Sequence, residues 1–328
     1  MFLNYKIHFE WVWDNTIENK PVEIAKVVKT FGADTVLDGI DLSIEPGTVF
    51  GLVGLNGAGK TTFIRIMLGL MRQTSGSCRL LGLDPQRYTG ELFRRMGVVL
   101  EHNGFYGNLS VMDNLRFFGR AKGISERSLK KYLQQFWAGT DIVQKKGKTK
   151  FFSRGQKMQC GLCRAFLGWP DVFLLDEPAV ALDVSAYDHF CSLVRHAKEN
   201  GAVVFISSHQ FDTIEELCDR IGILEKGRLT MLDRESPVQQ WIVQSSTQER
   251  VGEIITEFAS GKPTLDNGVW SFAVESPQRK IPMLVAELVR EGFSVYKVQP
   301  MSDSVKETVR RYYSQNGKGG GYNESIPE

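Results

Sequence analysis

Residues 54–62 read Gly-Leu-Asn-Gly-Ala-Gly-Lys-Thr-Thr. This fits G-x-x-x-x-G-K-[ST], in which glycines let backbone N–H groups close around phosphate oxygens where a Cβ would clash. Lys60 is placed to reach terminal phosphates, and the Thr61 hydroxyl to complete the shell of a Mg²⁺ ion. A second chemical feature stands at Leu174-Leu175-Asp176-Glu177-Pro178, an apolar run ending in two carboxylates. The first acid of such a pair can hold Mg²⁺, and the second can orient and polarise an attacking water. Together they imply a nucleoside triphosphate site with the parts for phosphoryl transfer to water.

The elements that must position these groups are legible around them. Thr48-Val49-Phe50-Gly51-Leu52-Val53 is an apolar, β-prone run that predicts a buried strand, and residues 63–68 have helical spacing. Strand, glycine loop and helix aim a helix N-terminus at the phosphates. Residues 49–53, 96–100, 172–175, 203–207 and 221–224 are the candidate central strands of an α/β domain spanning about 22–232. Residues 108–168 turn helical and predict a helical subdomain inside it.

After Ser236 the character changes. Strands are expected at 241–246, 264–265, 269–275 and 293–298, with helices at 248–258 and 277–291. This β-α-β-β-α-β order suits a small α+β, ferredoxin-like C-terminal domain over 237–314, closed by a helix near 304–313. Residues 315–328 carry Gly317-Lys318-Gly319-Gly320-Gly321 and read as a flexible tail. Residues 1–21 form an N-terminal extension in which residues 5–13 alternate aromatic and apolar with mostly polar residues, a strand period. It reads as an extra edge strand or, in a sharper reading, an aromatic contact with a partner or a membrane interface.

Composition narrows the field. A chain of 328 residues has ample length for a core, and a net charge of +2 gives no global argument for nucleic acid, which is not expected as a partner. The basic run Lys145-Lys146-Gly147-Lys148-Thr149-Lys150 reads as a solvated loop. Five cysteines form an odd, scattered set consistent with reduced thiols. Cys160 and Cys163 make a C-x-x-C without a second pair or a histidine nearby, so small buried side chains explain them better than a metal or redox role. No signal-like segment opens the sequence and no apolar run approaches bilayer length, so work at a membrane would need another chain to supply the span.

Three further motifs complete a series. Phe152-Ser153-Arg154-Gly155-Gln156-Lys157 opens a helix before the carboxylate pair, and Ala181-Leu182-Asp183 and Ser207-Ser208-His209 follow it. In this order the motifs resemble those of the ATP-binding cassette (ABC) ATPases, over residues 22–232. The resemblance implies a P-loop NTPase-type α/β fold, ATP and Mg²⁺ as ligands, and ATP hydrolysis coupled to transport. It places Phe31 against adenine, and Asn56, Gly57, Ala58, Gly59, Lys60, Thr61 and Thr62 around the phosphates. Thr61 and Asp176 fall on Mg²⁺, Glu177 becomes the general base, and His209 contacts the γ-phosphate and the attacking water. Ser153, Gly155 and Gln156 would act across a head-to-tail dimer on a second subunit's nucleotide, with Asp183 at the seam. A second ATPase subunit, identical or not, is therefore implied. So is a transmembrane permease that holds the chain peripherally on the cytoplasmic face of the cell membrane.

Two positions depart from the family's commonest text. Arg154 stands where glycine is usual, and a guanidinium near phosphates is favourable. Glu101 stands where most cassettes carry glutamine; an ionised glutamate only accepts hydrogen bonds and adds a charge beside Mg²⁺. Glu101 is thus a candidate metal and catalytic residue, and is similar to what lantibiotic-immunity and related peptide-antibiotic exporters show. Residues 103–115 then lie where cassettes touch a permease, with core packing of the helical subdomain as the competing reading. The C-terminal domain also resembles that of export-type cassettes. Two alternatives stay open: a soluble cassette ATPase without transport, and a nonhydrolysing ATP sensor, which Glu177 and His209 speak against.

Overall fold

The computed structural model describes residues 20–55, 57–100, 104–232, 238–245, 250–275, 277–300 and 309. The aromatic N-terminal segment, Asn56, Glu101, residues 304–313 apart from 309, and the glycine-rich tail lie outside that set. The chain divides into two compact units, Met1–Met231 and Leu232–Glu328.

The first unit is built on a six-stranded sheet. Its strands are β3 (Val49–Val53), β5 (Met96–Val99), β6 (Val172–Asp176), β7 (Val203–Ser207), β8 (Arg220–Glu225) and β9 (Arg228–Leu232), in the order β5-β6-β7-β3-β8-β9. The pairs β5/β6, β6/β7, β7/β3 and β3/β8 are parallel. Every residue of β3, β6 and β7 is buried, which is why these segments read as unbroken apolar runs instead of alternating ones. The five central strands are those the sequence predicts. β3 lies between β7 and β8, so the loop that follows it opens at the middle of the carboxyl edge, where α/β sheets bind ligands.

A second, antiparallel sheet was not legible in the sequence: β1 (Val22–Phe31), β2 (Asp34–Ile44) and β4 (Ser75–Leu80), in the order β2-β1-β4. Val22, Ile24, Ile40 and Ile44 from this sheet share one buried cluster with Phe50, Phe63 and Phe205 from the large sheet and its first helix. That helix, α1 (Lys60–Met67), is followed by α2 (Thr89–Arg95), and α7 (Val184–Glu199) and α8 (Phe211–Leu217) flank the later strands.

The helical subdomain comprises α3 (Val111–Ala121), α4 (Glu126–Phe136), α5 (Asp141–Gln144) and α6 (Arg154–Ala165). Ser110, Ser125 and Ser153 cap α3, α4 and α6 by accepting a first-turn N–H, which fixes where each helix starts. Cys160 and Cys163 are free, buried thiols on α6, as the packing explanation expects.

Between α3 and the large sheet Lys122 is buried, and its Nζ donates to the carbonyls of Met96 (2.9 Å) and Leu167 (3.4 Å). Burial, assisted by the Arg164 charge, pushes its pKa down to about 7. The unfolded chain then holds the extra proton between about pH 7 and the ordinary value of 10.5, so this group makes stability rise with pH across that window. Below about pH 7 both states are protonated, so the slope vanishes and the cost of burying the charge stands at its full value. Lys122→Met is expected to remove this rise. Denaturation midpoints of both proteins at pH 6.5 and 9 test it; parallel shifts in the two would refute it.

The second unit contains β10 (Val238–Ser245), α9 (Val251–Phe258), β11 (Thr264–Asp266), β12 (Val269–Glu275), α10 (Pro277–Arg290) and β13 (Val295–Pro300). Its antiparallel sheet has the order β11-β12-β10-β13. With the β-α-β-β-α-β succession this is the split βαβ arrangement of ferredoxin-like units. Val243, Phe272 and Val274 of the sheet pack against Val251, Ile255, Ile281, Leu284 and Leu288 of the two helices. Among the described residues no helix is long and apolar enough to cross a membrane.

Candidate active site

A cleft of about 960 Å³ opens at the carboxyl edge of the large sheet. Gly57, Gly59, Lys60, Thr61 and Thr62 line it after β3, Asp176 and Glu177 after β6, and His209 after β7. Three parallel strands thus deliver the separate motifs to one place.

The glycine loop has the backbone that only glycine adopts freely, with φ of 82° at Gly57 and 105° at Gly59. A Cβ on Gly59 would stand 3.0 Å from the Val36 carbonyl oxygen, so the β1–β2 hairpin packs directly on the loop. Gly59 is the N-cap of α1, no side chain caps the helix start, and Lys60, Thr61 and Thr62 of its first turn line the cleft. That is the condition under which a helix start takes an anion. Lys60 is 9% exposed, and its Nζ donates to the carbonyls of Gly54 (2.5 Å) and Leu55 (3.3 Å). Burial lowers its pKa, while the charges of Glu177 and Asp176 oppose that shift.

Asp176 ends β6 with 6% exposure, and Ser207 Oγ donates to its Oδ1. Glu177 has a φ of 51°, a left-handed conformation that costs a non-glycine residue about 1–3 kcal/mol. Its N–H donates to the Ser207 carbonyl at 2.9 Å, which ties the strained residue to β7. Its carboxylate is held on the same strand end. His209 Nδ1 lies 2.8 Å from Oε1, the His209 N–H donates to Oε1 at 3.1 Å, and Ser208 Oγ donates to Oε2 at 3.3 Å. A carboxylate aligned by donors while facing a polar cleft is suited to accept a proton from water.

The cleft also suits a divalent cation. Mg²⁺ takes one or two carboxylates and completes its shell with phosphates and water. Thr61 and Asp176 both line the cleft with hard oxygens, and no group of three or more His, Cys, Asp or Glu side chains that could hold a metal stands among the described residues.

The other expected site residues stand elsewhere. Phe31 is 47% exposed at the tip of the β1–β2 hairpin with Lys29 Nζ 4.7 Å from its ring centroid; Val36, from the same hairpin, lines the cleft instead. Ala58 donates its N–H to Leu55 within the loop. Ser153 and Gln156 close a capping box on each other at the start of α6, Asp183 caps α7 by accepting from Ala186 N–H at 2.8 Å, and neither they nor Gly155 line this chain's cleft. Lys150, Arg154 and Lys157 face the cleft from the helical subdomain; the sequence placed the Arg154 guanidinium near phosphates, and sequence reasoning missed the other two. The basic run containing Lys150 is therefore not wholly a solvated loop. Thr149 is buried, and Thr149 and Lys150 donate their N–H groups to the carbonyls of Leu109 and Gly107.

The fold and the loop define a P-loop nucleotide-binding protein. Comparison with known proteins carries this further. The family model of the ABC transporter matches residues 37–180. The bacitracin transport ATP-binding protein BcrA of Bacillus licheniformis is 34% identical over 210 residues, 63% of this chain and 68% of that protein. The uncharacterized ABC transporter ATP-binding protein YhcH of Bacillus subtilis is 31% identical over 296 residues, 87% of this chain and 93% of its own length. The lantibiotic transport ATP-binding protein SrtF of Streptococcus pyogenes is 31% identical over 210 residues, 64% and 89% of the two chains. A solved structure described as the ATP-binding subunit of an ABC transporter has the same fold, with a TM-score of 0.60 over 82% of this chain and 99% of that one at 23% identity. The chain belongs to the ABC transporter family, as an ATP-binding subunit of the kind that hydrolyses ATP to power transport.

Proposed function

We propose that this chain is the ATPase subunit of an exporter, working in pairs beneath a separately encoded membrane permease at the inner face of the cell membrane. The observation that carries the reading is the convergence of Lys60, Asp176, Glu177 and His209 on one cleft in a chain with relatives named for bacitracin and lantibiotic transport. Residues 56–62 hold the phosphates, Phe31 meets the adenine, and Thr61, Asp176 and Glu101 would hold Mg²⁺, which would neutralise charge on the phosphates. Glu177 takes a proton from the attacking water, and His209 orients that water and the γ-phosphate. Ser153, Gly155 and Gln156 lie outside the lining of their own chain's cleft, and this supports their service to a second subunit's nucleotide, with Asp183 at the seam. Residues 237–314 form an accessory domain.

Tagging the chain in its native cell, solubilising membranes in mild detergent and identifying copurifying proteins by mass spectrometry tests the assignment. A stoichiometric polytopic membrane protein is expected. Recovery with ribosomes, or alone, would favour a soluble cassette.

A further inference from the structure

Gly155 is helical and has no left-handed φ, so its backbone does not call for glycine. What demands it is proximity within the same chain. A Cβ at this position would stand 2.2 Å from the carbonyl oxygen of Ala181, well inside any tolerated contact. The start of α6 therefore rests, backbone on backbone, on the turn that joins β6 to α7.

Both surfaces of that contact are stiff. On one side the Ser153–Gln156 capping box fixes the first turn of α6. On the other, the turn begins at Glu177 (φ 51°) and passes Ala181 (φ 66°), two non-glycine residues in left-handed conformations. It is closed by Val180 N–H on the Glu177 carbonyl (3.3 Å) and Leu182 N–H on the Ala179 carbonyl (3.2 Å), and ends at the Asp183 cap of α7. Such strain persists only where neighbours over-determine the backbone. The Gly155–Ala181 contact is one such neighbour.

We infer that Gly155 is a positioning residue for the Glu177 of its own chain. A side chain at 155 must push the Ala181 carbonyl away, and the displacement runs along a four-residue, hydrogen-bonded turn to a carboxylate that has to stay aligned on His209. Misplacing a reacting group by about 1 Å costs on the order of a hundredfold in rate. This goes beyond the contact of Gly155 with a second subunit's nucleotide, and it rests on that paired reading for the kinetic part of its test.

The kinetic test uses full-length chains in mixed pairs isolated through two different tags. In a pair of G155A with E177Q, one site combines the Glu177 of the G155A chain with the intact Gly155 of the E177Q chain. A role across the pair alone leaves that site active; a role within the chain disables it. The expected single-turnover hydrolysis of this pair is about a hundredfold slower than that of the native chain mixed with E177Q, which also keeps one complete site. Equal rates in the two mixtures would overturn the inference. If neither mixture hydrolyses ATP, the paired reading fails and a second measurement decides. Hydrogen exchange of residues 177–187 in the nucleotide-free chain is expected to quicken in G155A relative to the native chain, and unchanged exchange overturns the inference. Should G155A alone not fold, G155A/A181G, whose second glycine lets the carbonyl yield, carries both measurements.

Discussion

Replacing Glu177 by glutamine is expected to lower ATP turnover by about a hundredfold or more, the usual contribution of a positioned general base. The substitution keeps the side-chain volume and one oxygen acceptor for the N–H of His209 and the Ser208 hydroxyl, which hold the native carboxylate. It removes the charge that faces His209 Nδ1 at 2.8 Å and the basicity that takes a proton from water. Binding should survive, because Lys60 and the glycine loop are untouched. The variant is therefore expected to accumulate as an ATP-bound pair, read by light scattering with ATP present against the nucleotide-free chain. Turnover equal to the native rate would take Glu177 out of its assigned role. Lost turnover without pairing would keep the base and remove the two-subunit site.

Much of this site was legible in the sequence because its parts sit at the ends of strands buried on both faces. Continuous runs such as Val172-Phe173-Leu174-Leu175 announce such strands, and the polar residues that break them, Asp176 and Ser207, mark the carboxyl edge. The antiparallel sheet escaped for the opposite reason. β1 carries register shifts on both of its partners and its burial does not alternate, so no period of two survives in the text. Val36 escaped with it. Lys150 and Lys157 carry charges, and a charged residue in sequence looks the same whether it faces bulk water or a cleft. Gly155 was legible as a glycine but not for its cause. Only folding brings Ala181, 26 positions later, against it.

Lys60→Met separates binding from folding. Lys60 is only 9% exposed, and burial works against its charged form. Methionine keeps the stem that packs beside the loop and removes that desolvation. Against this, the carbonyls of Gly54 and Leu55 lose a charged donor, about 1.5–3 kcal/mol for a hydrogen bond of that kind. The two effects oppose each other, so the thermal midpoint without nucleotide should move by only a few degrees, or about 1 kcal/mol. Nucleotide changes the comparison. A ligand at a hundred times its Kd stabilises the native chain by about 2.7 kcal/mol, and a variant that no longer binds gains nothing. The expected result is a native midpoint that climbs by about 5–10 °C with saturating ATP beside a Lys60→Met midpoint that stays in place. Hydrolysis should fall about a hundredfold to a thousandfold, since Lys60 is the cationic side chain the loop itself supplies to the phosphates. A variant that still climbs with ATP but does not hydrolyse it would move Lys60 from binding to the transition state alone. One that climbs and hydrolyses as the native chain does would show that the cations facing the cleft from the helical subdomain, Lys150, Arg154 and Lys157, suffice for the phosphates.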